Sequence, residues 1–236
     1  MRKLFCVYDI HLSTDLESKT LGISADDIKN IEKKAYGSEG IKKLEKVINN
    51  FYDLLGKKFE KEKVDKIYQD GGAIDWAAVA KTKPEIYDQF LNDLEEKVSA
   101  GSRSYELVLN LAKKGSEIKQ TEDPKLLLEE ATFFQNYVRL IKVKEELSKG
   151  KKYSPKEEEE IKELTVKIAK QQSEQAERGE KRDMAIADNI NKSLKEEETG
   201  LLIIGAMHNV KPYLAKGIEL EELMPEGMKR ISGRCS

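Results

Sequence analysis

The chain holds only two histidines, and both stand just past an apolar run. His11 follows Leu4, Phe5, Cys6, Val7, Tyr8, Asp9 and Ile10; His208 follows Leu201, Leu202, Ile203, Ile204, Gly205, Ala206 and Met207. Imidazole titrates near neutral pH, so a histidine beside a carboxylate is suited to moving a proton or holding a metal. Asp9 lies two residues before His11 and points to the same side if the strand continues. Asp70 and the pair Glu122 and Asp123 close two other candidate strands, where carboxylates serve as metal ligands or general bases. Arg182 and Asp183 stand where a polar helical stretch turns apolar again; an arginine there can clamp an anion or carboxylate with two parallel donors. The expected roles are therefore metal ligation by His11, His208, Glu122 and Asp70, and catalysis by His11, His208, Glu122, Arg182 and Asp183. Plainer alternatives exist: a structural histidine at a strand end, a turn former at Asp70, a helix cap at Asp123 and a surface ion pair at Arg182–Asp183.

These residues need a scaffold that gathers them. The runs 3–10 and 201–204 are short and apolar, the pattern of strands buried on both faces of a parallel sheet. Shorter strands are predicted at 64–70, 116–120 and 218–223. Ligands collect beyond the carboxyl ends of strands in an open α/β sheet, which would bring both imidazoles to one cleft. Gly71–Gly72 turns the chain after the second strand, and Gly205 allows a tight approach before His208.

Helices are predicted between the strands. One starts at the Ser24 cap and is interrupted over 37–40. The next runs over 41–55 with Ile41, Leu44, Val47, Ile48, Phe51 and Leu55 on one face, and ends at Gly56. Others cover 76–80, 84–99, 105–113 and 124–147. A helix from Ser154 carries a capping box completed by Glu157, with Pro155 in its first turn. Apolar spacing returns at Met184, Ala187, Ile190 and Leu194. Strands alternating with helices argue for a helix-rich α/β fold with a mostly parallel sheet. The 236 residues suit one domain, 1–236, with a large helical insertion around 72–198.

Composition narrows the function. The 42 basic and 44 acidic residues leave a net charge of −2, which gives no field for nucleic acid or an anionic membrane. Cys6 and Cys235 form no disulfide framework and no CxxC pair. No apolar stretch approaches the ~20 residues of a membrane helix, and the basic start lacks a signal-peptide pattern. A cytoplasmic protein is expected. The phosphate-loop, dinucleotide and nucleophile-elbow fingerprints are missing. The long charged helices admit pairing with a second copy as a homodimer.

The stretch Lys181-Arg182-Asp183-Met184-Ala185, a helix through Ile190, and Leu202-Ile203-Ile204-Gly205-Ala206-Met207-His208 resemble the C-terminal half of the TraB/TIKI proteins, of the superfamily with erythromycin esterases and ChaN-type haem-binding lipoproteins. In that family an Arg-Asp pair opens a helix leading to an apolar strand that ends in Gly-x-x-His. Tyr8-Asp9-Ile10-His11 takes the place of the first such motif, with tyrosine where the glycine would stand. The match covers roughly residues 182–210 and is positional at His11. Glu122 is compatible with the family's acidic site residue. The resemblance implies an erythromycin-esterase/ChaN-like fold whose cleft is flanked by both histidines. It also implies a hydrolase of peptide or ester bonds in small-molecule or peptide substrates, dependent on a divalent metal (Mn, Co or Zn) in the TIKI branch. The ChaN branch implies the alternative, a non-catalytic small-molecule or haem-binding protein, for which Tyr8 and Tyr68 are candidate ligands.

Overall fold

The computed structural model describes residues 1–9 and 25–226; His11, Ser24 and Cys235 lie outside them. Among the described residues, five strands and seven α-helices follow in the order β1 (Arg2–Asp9), α1 (Ala25–Lys61), β2 (Lys66–Gln69), α2 (Trp76–Thr82), α3 (Pro84–Ser99), α4 (Arg103–Lys113), β3 (Glu117–Lys119), α5 (Pro124–Ser148), α6 (Pro155–Ser173), α7 (Gln175–Ser193), β4 (Thr199–Gly205) and β5 (Ile218–Leu223). A single 3-10 turn, Lys211–Tyr213, links the last two strands. The strands form one sheet in the order β3-β2-β4-β1-β5, and every neighbouring pair is parallel. This is the helix-rich α/β architecture expected from the alternating pattern.

Side-chain alternation along the strands makes two cores. Phe5, Val7, Ile67, Leu201 and Ile203 face α1, α3 and α4, joined by Phe51, Leu55, Phe59, Leu94 and Leu107. Leu4, Cys6, Tyr8, Tyr68, Leu202 and Ile204 face α7 through Ile186, Ala187, Ile190 and Leu194. Apolar cover on both faces is why β1 and β4 read as unbroken hydrophobic runs. A third, separate cluster of Phe133, Leu140, Leu164 and Ile168 joins α5 to α6. The predicted capping box opens α6: Ser154 Oγ accepts from Glu157 N–H, and the Glu157 carboxylate accepts from Ser154 N–H at 2.7 Å.

Two expectations about helices change, but the interruption predicted over 37–40 does not: α1 is two helical stretches joined across a kink at Gly37, where φ is +65°. Gly56 does not end it. Glycine inside a helix costs about 1 kcal/mol relative to alanine, but stopping there would withdraw Phe59, which is 2 % exposed and packs edge-on against Phe5 at 5.2 Å. Burying such a ring is worth roughly 1.5–3 kcal/mol, so burial wins. Val47 and Met184 are exposed rather than core. On α7 the inward face is Asp183, Ile186, Ala187 and Ile190, so a carboxylate takes the position that an apolar pattern assigns to Met184.

β1, β2 and β4 run out at the same edge, with Asp9 opposite Gly205 and Gln69 opposite Ile203. The chemistry-bearing residues gather there.

Candidate functional site

Asp70 directly follows β2, and its N–H still bonds Ile203 O at 2.8 Å, so the residue is held in register with the sheet. Its side chain reaches the neighbouring strand end: Oδ2 accepts the Gly205 N–H at 3.1 Å. Gly71 then turns the chain at φ +79°. Gly72 closes the turn, donating its N–H to Gln69 O at 2.9 Å. A Cβ on Gly72 would sit 2.8 Å from that same oxygen, so only glycine fits without a shift.

The Gly72 carbonyl fixes the next acid. It accepts N–H donors from both Thr121 (2.8 Å) and Glu122 (3.0 Å), tying the loop after β3 to the loop after β2. Thr121 Oγ1 accepts from Gln69 N–H at 2.8 Å, and Asn189 of α7 donates to Thr121 O at 2.9 Å. Asp123 is the cap of α5, accepting from Lys125 and Leu126 N–H, which settles its role as structural. Glu122 is 0 % exposed.

α7 supplies the remaining groups. Arg182 donates from Nε to Glu122 Oε2 at 3.2 Å and from Nη2 to Glu122 Oε1 and to Asp70 Oδ1 at 3.1 Å. The guanidinium is thus a bridge between the ends of β2 and β3, not a surface ion pair. Asp183, one residue on, turns the other way. Its Oδ1 lies 2.6 Å from His208 Nδ1, and its Oδ2 accepts the Asn209 N–H at 2.9 Å. Asp183 therefore partners His208 and its neighbour's backbone. The backbone of His208 is set by a turn in which its N–H bonds Gly205 O at 3.1 Å. Farther along, Tyr213 O–H donates to Glu180, and Asn191 bonds Tyr213 O and Ala215 N–H, so α7 clamps the whole β4–β5 connection.

The electrostatics follow from this packing. Burial disfavours the His208 cation, but the Asp183 hydrogen bond and the Asp70 charge outweigh it, leaving the imidazole above its ordinary value of 6.5. Burial pushes the Glu122 carboxyl above the ordinary 4.5; the Arg182 pair opposes the shift and the nearby Asp70 adds to it. Burial disfavours the Arg182 cation, yet Glu122 and Asp70 hold it more firmly protonated than usual.

His208 Nε2 faces Asp70 Oδ2 at 3.8 Å. Asp70, Glu122 and His208 form a largely buried cluster that could hold a metal ion, each offering one ligand atom within 4.8 Å of the others. Two carboxylates and an imidazole suit divalent Mn, Co or Zn, and an imidazole whose second nitrogen is held by a carboxylate is the usual form of a metal-ligating histidine. The donor set therefore fits such an ion in type.

Five of the six predicted site residues, Asp70, Glu122, Arg182, Asp183 and His208, meet at one place; the sixth, His11, lies outside the described residues, two positions beyond Asp9. Asn189 and Asn191 are supporting residues that no motif singles out; Gly72, expected only as part of a turn, and Thr121 support the site as well. Tyr8 and Tyr68 are not at the site: both are buried in the sheet core, the first donating to Glu222 and the second bonding Ser193. A cavity of about 520 Å³ lies at the opposite edge, where Lys61, Lys66, Glu117 and Glu198 line it. Lys66 pairs there with Glu198 at 2.5 Å and Lys63 with Asp65 at 2.6 Å, and the cavity is separate from the histidine site. No helix among the described residues is long and apolar enough to cross a membrane. No family model, curated protein or solved structure matches the chain.

Proposed function

We propose that this chain is a hydrolase of peptide or ester bonds in a small-molecule or peptide substrate, with His208 as the group that takes the proton of the attacking water. The observation that carries this reading is the 2.6 Å contact between Asp183 and His208 Nδ1 at the carboxyl edge of the sheet. A buried carboxylate on Nδ1 fixes the tautomer, leaves Nε2 as the basic nitrogen and stabilises the imidazolium that forms. Arg182 is the cation that would stabilise the developing oxyanion or grip a substrate carboxylate. The Arg-Asp and Gly-x-x-His elements of the TraB/TIKI resemblance are the elements that meet here, which supports the same reaction class.

A divalent ion held by Asp70, Glu122 and His208 would bring its bound water toward a pKa of ~7 and polarise the scissile carbonyl. Without it, Nε2 is the proton acceptor.

The test is turnover of fluorogenic ester and peptide panels by the purified chain, in chelator and with Mn, Co or Zn added, for wild type, His208→Gln and Asp183→Asn. The reading expects cleavage of at least one panel member that falls by ~10²–10⁴-fold in both variants while their melting curves stay cooperative. Cleavage unchanged by His208→Gln, or no cleavage of either panel, overturns it. A Soret band on adding haem would favour the binding-only alternative.

A further inference from the structure

We infer that Arg182 and a divalent ion exchange places on Glu122, so that ion binding releases the guanidinium; this rests on the reading that Asp70, Glu122 and His208 are the ion's ligands. Two of the three donors already face one another: Asp70 Oδ2 and His208 Nε2 are 3.8 Å apart. Donors on one tetrahedral ion stand ~3.4 Å apart at bonds of ~2.1 Å, so this pair needs little movement. Glu122 is different. Both of its oxygens accept from the Arg182 fork, Oε2 from Nε and Oε1 from Nη2. The carboxylate is fully buried and its backbone is pinned to Gly72, so it cannot swing far to meet an ion. The mobile partner is the arginine, which reaches Glu122 on a long flexible stem from α7.

Electrostatics act in the same direction. Asp70, Glu122 and Asp183 bring three formal negative charges to the site, against one fixed positive charge on Arg182. The surplus attracts a dication, while a guanidinium in contact with the same oxygens repels it at short range in a poorly screened setting. The fork and the ion thus compete for one carboxylate. Removing the fork should tighten ion binding by lifting the competition, although it also removes the partner of a buried acid.

The experiment is calorimetric titration of Mn, Co and Zn chlorides, each alone, into the full chain as wild type, Arg182→Gln, Arg182→Lys and Glu122→Gln. Arg182→Gln should bind one ion per chain at least 10-fold tighter than wild type, and Glu122→Gln should bind more weakly. Arg182→Lys keeps the charge and loses the fork, so its affinity should fall between those of wild type and Arg182→Gln. If Arg182→Gln does not fold, the wild-type chain carries the test through the ¹⁵N–¹H resonance of the Arg182 Nε–H group. That signal, protected by Glu122, should move and exchange faster with water as the ion is added. Equal or weaker binding by the arginine variants, an Nε–H signal that ignores a bound ion, or no ion bound by any form overturns the inference. No substrate is used, so the outcomes separate cleanly. A chain that exchanges the ion but cleaves nothing loses only the hydrolase reading. One that cleaves fully in chelator, with no exchange, loses only this inference.

Discussion

Asp183 touches His208 with one carboxylate oxygen and the Asn209 backbone N–H with the other, at 2.6 and 2.9 Å. One side chain therefore fixes both the imidazole ring and the backbone that carries it. Asp183→Asn keeps the shape but replaces an acceptor with an amide and loses the charge. We expect a loss of about 1–3 kcal/mol in unfolding free energy by denaturant titration. Turnover should fall by ~10²–10⁴-fold, with the larger effect on kcat.

The pH dependence of stability and of activity should run in opposite directions through His208. Its folded-state value lies above 6.5 because Asp183 and Asp70 more than offset burial. The native state therefore binds the proton more tightly than the unfolded chain does. That stabilisation is fully present below about pH 6.5, the ordinary histidine value, and is lost as pH rises through the elevated folded value. A base must be unprotonated, so kcat/KM should rise over the same window, with its midpoint above the ordinary histidine value. Melting temperature and rate measured across pH 5–9 check this; His208→Gln should flatten the stability change.

Removing one member of the Arg182–Glu122 pair should cost far more than removing both. Glu122→Leu leaves the buried guanidinium with only Asp70, and Arg182→Leu leaves a carboxylate in dry packing. Each should lose roughly 3–5 kcal/mol, while the double variant Arg182→Leu/Glu122→Leu should recover a large part of the sum. Equilibrium urea unfolding of the four forms gives the coupling. Strict additivity would show that the pair is not coupled.

Gly72→Ala should damage the site from outside it. The new methyl would meet Gln69 O at 2.8 Å and Thr121 Oγ1 at 3.4 Å, in the turn whose carbonyl anchors Glu122. Overpacking of this kind costs about 1–3 kcal/mol and should shift Glu122 relative to Arg182. A lowered unfolding midpoint together with a reduced kcat would follow. An alanine variant as stable and active as wild type would show that the two loops are not coupled through Gly72.

Much of this arrangement is legible in the residues because burial on both faces makes β1 and β4 continuous apolar runs, and the bounds 218–223 expected for β5 are the observed ones. The positions of Asp70, Glu122 and His208 followed from strand ends alone. What could not be read was direction. Nothing in the local pattern says that Arg182 turns toward the acids of two distant loops while Asp183 turns toward a histidine 25 residues on; that depends on how α7 rotates over the sheet. The apolar period places Met184 inward for the same reason, since it cannot distinguish an inward methionine from an inward aspartate with a partner waiting. Gly56 does not end its helix because its weak helix propensity is outvoted by Phe59 three residues later. The role of Gly72 rests on backbone hydrogen bonds between loops distant in sequence, and that of Asn189 on a side-chain amide of α7 that donates to Thr121 O; no spacing rule reveals either.

Because Arg182, Asp183 and Asn189 project from the same helix to three different strand termini, α7 works like the cursor of a slide rule. Advancing it by one residue, ~1.5 Å along its axis, would misalign the fork, the imidazole partner and the Thr121 tether at once. Any event that nudges α7, at either end, would therefore silence the whole constellation together rather than dim one member of it.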